Sequence, residues 1–248
     1  MSAVLVIAGS DSSGGAGLTR DVQTLTHFAT AVVCAVTAVT AQSDREVRAV
    51  HPLPPESVHE QIAAAFATAK IGAVKIGMLA TEAVALAVAA SLPPRDEVPV
   101  VLDPVLRSSS GVALLDAGGQ AVLIEQLLPR ATLVTPNIEE LAVLAAAAPA
   151  RSEEERAQQG RALLALGPAA VLVKGGHGSG DAAVDLLLTA GRAVRRLSSP
   201  RSPCSLRGTG CALSSAIAAG LAAGLDLEGA CDRAKQHLVE LFQQGHSR

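Results

Sequence analysis

Short apolar runs alternate with helical segments along this sequence, and that alternation limits the folds open to the chain. Residues 3–8 are apolar, end at Gly9 and are too few for a helix, so they predict a buried strand. Strands connected through helices form mostly parallel sheets that are covered on both faces. We therefore predict an α/β fold, a three-layer α/β/α sandwich with a mostly parallel central sheet, formed by residues 1–248 as one domain. The predicted strands are residues 3–8, 31–41, 46–51, 73–76, 98–102, 132–134, 170–173, 184–188 and 193–197, and the predicted helices are residues 18–28, 55–68, 81–91, 121–128, 152–166, 212–225, 226–242 and one that starts at 138.

The segment Arg207-Gly208-Thr209-Gly210-Cys211 stands directly before the small-residue run that predicts a buried helix. A helix N-terminus presents unpaired N–H groups and a partial positive charge, and Gly208 and Gly210 let those amides approach an anion closely. Cys211 falls in the first turn, where the helix dipole favours a thiolate and lowers the pKa from about 8.5. Two interpretations are open at this point: an anion site beside a base, or a loop shaped by glycines and followed by a small buried cysteine.

Polar residues follow two of the predicted strands at the point where each strand ends. Asp103 follows the strand at 98–102, and Lys174, with two glycines after it, follows the strand at 170–173. Because the carboxyl ends of parallel strands meet at the sheet edge where α/β proteins bind ligands, we expect both side chains near the Gly208 turn. A lysine beside bare glycine amides suits a phosphate group. The alternatives are a turn residue at Asp103 and a solvated lysine at Lys174.

Two further segments are candidate ligand contacts. The glycine-rich loop at residues 9–17 joins the first strand to a helix, but it lacks the GK[ST] of a Walker A motif and the GxGxxG dinucleotide spacing. Gln42 closes the apolar run at 31–41, so its amide either faces a heterocycle or meets solvent at a strand end. Asn137 and Glu140 have the spacing of a capping box, a structural role that is compatible with contact to water on a metal ion.

Composition excludes several classes of function. The net charge of −3 and the absence of Trp and Tyr argue against nucleic-acid binding. Every run of 18 residues has polar interruptions, and no basic segment precedes the first apolar stretch, so we expect a cytoplasmic protein without a membrane segment. The cysteines are scattered without metal-site spacing, as are the six histidines, so we predict free thiols and no structural metal. The cysteines are Cys34, Cys204, Cys211 and Cys231.

Seven motifs, in order along nearly the whole chain, carry a resemblance to a known family. They are IAGSDSSGGAG at 7–17 with Asp21 downstream, TAQ at 40–42, KIGML at 75–79, VLDPV at 101–105, TPNxxE at 135–140, KGGH at 174–177 and GTGC at 208–211. In this combination the chain resembles the hydroxymethylpyrimidine and phosphomethylpyrimidine kinases of thiamine biosynthesis, which have a ribokinase-like fold.

The resemblance implies phosphoryl transfer from Mg-ATP to 4-amino-5-hydroxymethyl-2-methylpyrimidine and then to its monophosphate, by a homodimer. It implies that Cys211 is the base and that the amides of Gly208, Thr209, Gly210 and Cys211 hold the transferring phosphoryl group. The implied pyrimidine contacts are Gln42 and Asp21, with the backbone near Gly9 and Met78. The implied nucleotide contacts are Lys174, Asp103 and Asn137, and the implied magnesium contacts, through water, are Glu140 and Asn137.

The chain departs from the family pattern at three places. Ser109 stands where the family usually has a lysine, the segment 205–207 (SLR) stands where the family usually has NTH before GTGC, with a one-residue deletion upstream of it, and the usual C-terminal GHGP is reduced to residues 245–248. We hypothesise that Arg107 or Arg207 handles the substrate phosphate in place of the missing lysine. A mobile flap is expected at residues 175–180. The alternatives are a pyridoxal-type kinase of the same fold and a non-catalytic pyrimidine-binding protein.

Overall fold

The computed structural model describes residues 2–176, 181–202 and 206–245, and within them nine strands form one sheet. The strands are β1 Ala3–Asp11, β2 Ala31–Gln42, β3 Val47–Pro52, β4 Ile71–Ile76, β5 Val100–Leu102, β6 Leu133–Val134, β7 Ala170–Val173, β8 Ala182–Thr189 and β9 Arg195–Pro200. Their order is β3-β2-β1-β4-β5-β6-β7-β8-β9. Six neighbouring strands in this order, β2, β1, β4, β5, β6 and β7, are parallel, and the antiparallel strands β3, β8 and β9 lie at the two edges. This confirms the predicted mostly parallel α/β architecture.

Helices cover both faces of the sheet. They are α1 Gly17–His27, α2 Pro55–Thr68, α3 Glu82–Ser91, α4 Ala117–Val122, α5 Ile138–Leu144, α6 Glu153–Leu164, α7 Thr209–Ala222 and α8 Leu227–Gly245. Successive side chains of β1 point to opposite faces, so Leu5 and Ile7 join the core under α2, α3, α5 and α6, whereas Val4 and Val6 join the core under α1, α7 and α8. The three-layer sandwich therefore has two separate apolar cores.

Side-chain caps mark the first residues of several helices, among them α3 and α4. Thr81, the first residue of the helix predicted at 81–91, is its cap: it accepts a hydrogen bond from the Val84 amide at 3.4 Å, and α3 begins at the next residue. The helix predicted at 121–128 begins earlier, at Ala117, because Asp116 caps it through the Gly119 amide at 2.7 Å. Residues 123–127 continue it as a π-helical turn.

Several predictions fall on residues outside the described ranges. These are Cys204, His177 of the KGGH motif, residues 178–180 of the expected flap and the tail at 246–248. Cys34, Cys211 and Cys231 are free thiols. No helix within the described ranges combines the length and the apolar character needed to cross a bilayer.

Candidate active site

A cavity of about 640 Å³ opens at the carboxyl ends of the parallel strands. The loops that follow β1, β4, β5, β6 and β7 contribute to its wall, together with the N-terminus of α7 and one side of α8. This is the edge at which the sequence places its candidate residues. The predicted residues that line it are Gly9, Gln42, Met78, Asp103, Asn137, Glu140, Lys174, Gly208, Thr209, Gly210 and Cys211.

The N-terminus of α7 forms one wall of the cavity. Its cap residue, Gly208, has a φ of 73°, a left-handed conformation that favours glycine. A Cβ at Gly208 would also overlap the carbonyl oxygen of Gly15. A Cβ at Gly210 would lie 3.2 Å from the Lys174 Nζ, so the helix terminus and this ammonium group face the same space. The arrangement can bind an anion between amides and a lysine.

Lys174 lies within a cluster of buried carboxylates. Its Nζ is 2.8 Å from Asp103 Oδ1 and 3.7 Å from Glu140 Oε2. Asp103 also accepts a hydrogen bond from Thr135 Oγ1 at 3.1 Å. Burial raises the pKa of Asp103, but the ammonium groups of Lys174 and Lys75 outweigh burial and leave that pKa below its usual range. Asp103 is therefore ionised and holds Lys174 in place at the end of β7.

Asn137 and Glu140 form the predicted capping box of α5. The Asn137 amide donates to Glu140 Oε2 at 2.8 Å, and the Glu140 amide donates to Asn137 Oδ1 at 2.8 Å. Burial raises the pKa of Glu140 to about 7, with Lys174 opposing the shift and Asp103 adding to it. Carboxylate and amide oxygens beside phosphate-binding groups are ligands that suit Mg²⁺. Because two of these oxygens already serve the capping box, contact through water fits the donor set.

The environment of Cys211 differs from the prediction. The thiol lines the cavity and is half-buried, and burial raises its pKa to about 11. Lys75 and a hydrogen bond with the Gly17 backbone lower the pKa, whereas Asp21 and Asp103 raise it further. The expected lowering of the Cys211 pKa is thus wrong, because the cost of burying a thiolate is the larger effect.

Asp21 is placed differently from the expectation that it contacts the pyrimidine. It lies on α1 behind the cavity wall and is fully buried, with Oδ2 2.8 Å from Lys75 Nζ and Oδ1 accepting from Ser215 Oγ at 2.8 Å. Burial lowers the pKa of Lys75, but Asp21, Cys211 and Asp103 together outweigh burial and leave that pKa above its usual range. Burial also raises the pKa of Asp21, against the opposing effect of Lys75 and Ser215. The direct contact at 2.8 Å favours the ionic form of the pair. Lys75 itself lines the cavity, and sequence reasoning missed its role. Its place in the KIGML motif, inside an otherwise apolar strand, was the available signal.

Gly9, Gln42 and Met78 line another part of the cavity, at the ends of β1, β2 and β4. A Cβ at Gly9 would lie 2.9 Å from the Met78 Sδ, so a side chain at this position would collide with the thioether. The Gln42 Oε1 accepts from Thr40 Oγ1 at 3.1 Å, which orients the side-chain amide. A planar ring between a thioether and an amide would find both an apolar face and hydrogen-bonding groups.

Arg207 joins the loop before α7 to the glycine-rich loop after β1. Its Nη2 is 3.1 Å from Asp11 Oδ2, and its Nη1 donates to Ser13 Oγ at 2.9 Å and to Asp44 Oδ1 at 3.1 Å. Arg107, the other arginine considered for the substrate phosphate, is exposed and donates to the Gly111 carbonyl at 3.1 Å. Both arginines line the cavity, so either can reach an anion inside it.

The structure brings together two histidines that the sequence keeps far apart. In the described part of the chain, His27, His237 and Glu240 have potential ligand atoms within 4.8 Å of one another, at the contact of α1 with α8. The two imidazole rings are 4.6 Å apart, and the guanidinium of Arg233 lies 4.4 Å from the neighbouring Phe28 ring. This cluster is outside the cavity and is bordered by positive charge.

Comparisons with known proteins cover nearly the whole chain. A family model described as phosphomethylpyrimidine kinase matches residues 11–247. The hydroxymethylpyrimidine/phosphomethylpyrimidine kinase of Rhizobium meliloti is 43% identical over 94% of this chain and 88% of its own length. The phosphomethylpyrimidine kinase of Clostridium difficile is 34% identical with a TM-score of 0.83, over 97% of this chain and 99% of that one. The pyridoxal kinase of Bacillus subtilis, solved as an ADP complex, is 30% identical with a TM-score of 0.86, over 95% and 89% of the two chains.

Proposed function

The chain belongs to the phosphomethylpyrimidine kinase family, and on this premise we propose that it phosphorylates 4-amino-5-hydroxymethyl-2-methylpyrimidine and then the resulting monophosphate, with ATP as donor. The product would serve thiamine biosynthesis. One observation carries the proposal: a helix N-terminus and a carboxylate-held lysine face the same space in a cavity that also contains Gln42. That arrangement supplies phosphate-binding groups next to a place for a heterocycle.

The chemistry assigned to the chain is a single displacement. The hydroxyl oxygen attacks the γ-phosphorus, the bond to the β–γ bridging oxygen breaks and ADP leaves. Amides of Gly208–Cys211 and the Lys174 ammonium stabilise the charge on the transferring group. The proton of the hydroxyl passes to Cys211 as a thiolate, and Lys75 is the cation that favours this form. Because the transition state of phosphoryl transfer is loose, the attacking hydroxyl needs little activation, so a base of which only a small fraction is thiolate at neutral pH is compatible with the reaction.

Glu140 and Asn137 are proposed to hold Mg²⁺ through water beside Asp103. When bound, the ion neutralises negative charge on the phosphates. Lys174 offsets further nucleotide charge, and its contact with Asp103 fixes where the ammonium lies.

The remaining contacts are assigned to the pyrimidine and its phosphate. Gln42 would bind the ring edge, with Gly9 and Met78 along the ring. Arg207 is the proposed contact for the phosphate of the second substrate, because its guanidinium lines the cavity and its bonds to Asp11 and Ser13 hold it in place there. We further propose one kinase domain over residues 1–248, a homodimer and a cytoplasmic location.

A pyridoxal kinase activity is the second candidate, and the structural similarity to the pyridoxal kinase of B. subtilis favours testing it. ADP release from ATP and Mg²⁺ would be measured with the hydroxymethylpyrimidine, its monophosphate and pyridoxal supplied separately, for the wild-type protein and for Cys211→Ala. We expect turnover of both pyrimidines and a loss of about 10²-fold or more in kcat for the variant. ADP release with pyridoxal alone would replace the proposed pyrimidine kinase activity with a pyridoxal kinase activity. No ADP release with any of the three compounds would favour a non-catalytic binding protein.

A further inference from the structure

Asp185, on β8, joins the C-terminal helix to the turn that carries Lys174. The side chain is buried, and its Oδ1 accepts a hydrogen bond from the Gly175 amide at 2.7 Å. Its Oδ2 lies 2.7 Å from the Nζ of Lys235, on α8. Lys235 also donates to the carbonyl of Ala183 at 3.0 Å, so the ammonium is fixed to β8 at two points. One carboxylate therefore links α8 to the residue that follows Lys174.

The turn after β7 has little freedom to move while these bonds are intact. The Lys174 amide donates to the Pro136 carbonyl at 2.9 Å, next to Asn137. On the other side, the Gly175 backbone lies so close to the Val184 carbonyl that a Cβ at Gly175 would overlap this oxygen. The bond from Gly175 to Asp185 holds the turn in this narrow space. Its loss would free the backbone from which the Lys174 side chain reaches Asp103.

We propose that Asp185, oriented by Lys235, is a positioning residue for phosphoryl transfer that sets where the Lys174 ammonium meets the nucleotide phosphates. The inference rests on the proposed kinase function. Without Lys235, the buried Asp185 carboxylate would lose its hydrogen-bonded counter-charge, and a buried carboxylate without a partner is costly enough to be displaced. The Gly175 bond would then weaken.

The test compares steady-state kinetics of Asp185→Ala, Lys235→Met and Lys235→Arg with the wild-type protein. A displacement of about 1 Å in a phosphate-contacting group changes rates by up to about 10²-fold, so we expect Asp185→Ala and Lys235→Met to raise the KM for ATP about tenfold and to lower kcat. The KM for the pyrimidine should stay within about twofold. Lys235→Arg should retain most of the wild-type activity, because arginine still provides a cation that can bind Asp185.

Asp232→Asn is the matched control. Asp232 also lies on α8 and pairs with Arg195 of β9 at 2.8 Å, so it links the same helix to the same hairpin, but it is outside the cavity. This variant should keep wild-type kinetics. The double variant Asp185→Ala/Lys235→Met should be no worse than Asp185→Ala alone, since the two residues act as one unit.

The outcomes separate the positioning role from the kinase function itself. Turnover by the wild-type protein, with equal changes in both KM values or no change in the variants, would overturn the positioning role alone. A wild-type protein without turnover would overturn the kinase function, and the positioning role would then be judged by ADP affinity in calorimetry. A loss of about tenfold in ADP affinity for Lys235→Met but not Asp232→Asn would support it, and equal affinities or absent ADP binding would overturn it.

Discussion

The Cys211 thiol lies where opposite influences on its pKa meet. Lys75 and the Gly17 backbone favour the thiolate, whereas burial and two carboxylates favour the thiol and raise the pKa to about 11. The thiol is therefore protonated at neutral pH. We predict that alkylation of Cys211 by iodoacetamide, followed by peptide mass spectrometry, is slow at pH 7 and accelerates about tenfold per pH unit up to about pH 11. A rate that is already maximal at pH 8 would contradict this.

The raised pKa of Glu140 makes the free energy of unfolding depend on pH. Burial raises its pKa to about 7 in the folded protein, from an ordinary value of 4.5, so the folded protein keeps a proton that the unfolded chain releases in this interval. The free energy of unfolding of the wild-type protein, relative to Glu140→Gln, should therefore fall as the pH rises from 4.5 to 7. The fall should be on the order of 3 kcal/mol, at about 1.4 kcal/mol per pH unit.

Urea unfolding of both proteins across this pH range measures the difference. Glutamine keeps an oxygen for the Asn137 amide, so the capping box is preserved. Glu139→Gln, on the exposed side of the same helix turn, is the control and should follow the wild-type protein at every pH. A difference between wild type and Glu140→Gln that does not change with pH would contradict the assigned shift.

Single residues could be predicted from sequence where the cause is local. The Asn137–Glu140 box and the Thr81 cap involve neighbours three residues apart, and both are present. Asp21 could not be placed, because it lies on α1 whereas its partner Lys75 lies on β4, and sequence alone does not reveal which side of α1 is covered by α7. The Cys211 pKa could not be predicted for the same reason, since burial is a property of the assembled layers.

Two glycines flank helix α7, Gly208 before it and Gly224 after it, and each is needed for a different reason. Gly208 and Gly224 both have a positive φ, of 73° and 87°. A Cβ at Gly208 would meet the Gly15 backbone, whereas nothing lies within 4 Å of a Cβ at Gly224. We predict that Gly224→Ala lowers the free energy of unfolding by about 1 kcal/mol, the conformational cost alone, and that Gly208→Ala costs at least about 1 kcal/mol more.

Chemical denaturation measures both variants, and nucleotide affinity separates them further. Gly208→Ala displaces the amides at the start of α7, so it should also weaken ADP binding, whereas Gly224→Ala lies at the opposite end of the helix and should leave it unchanged. Equal stabilities of the two variants would show that the contact with Gly15 is relieved without cost.

Element order was largely predictable because each element carries its own periodicity. The helix Pro55–Thr68 and the strand Ala170–Val173 have the predicted bounds. Pairing beyond the element is less local: the predicted hairpin at 184–197 is present, but its strands β8 and β9 are longer than the apolar runs. The additional residues of β8 are Ala182, Ala183 and Thr189, and β9 starts two residues later than predicted and continues through 198–200 (SSP). These residues are small or polar or proline, so hydrophobicity alone did not mark them as strand.

A buried polar cluster behind the cavity connects elements of two layers of the molecule. Lys75 lies on β4, Asp21 on α1 and Ser215 on α7, so the cluster joins the sheet to two helices of one layer. Its ion pair spans 54 residues of sequence and both side chains are fully buried. Removal of one partner leaves a charge without compensation in the interior.

We predict that Lys75→Met lowers the free energy of unfolding by about 3–5 kcal/mol, because Asp21 then becomes a buried, unpaired carboxyl group. The double variant Lys75→Met/Asp21→Asn should recover part of this loss, which gives a coupling free energy of about 2 kcal/mol or more in a double-mutant cycle. The exposed pair of Arg48 and Glu46, at 2.6 Å but with side chains 74% and 55% accessible, is the control and should give less than about 1 kcal/mol.

Urea denaturation of the single and double variants measures both cycles. The two pairs have similar N–O distances and differ in burial, so a larger coupling for the interior pair isolates the effect of removing water. If both cycles give the same small value, the interior pair is neutral as a unit and the two apolar cores alone hold the layers together. A large interior coupling means instead that the buried Lys75–Asp21 pair fixes α1 against the sheet. Because Asp21 also binds Ser215, the same pair then helps to position α7 and the anion-binding turn at Gly208.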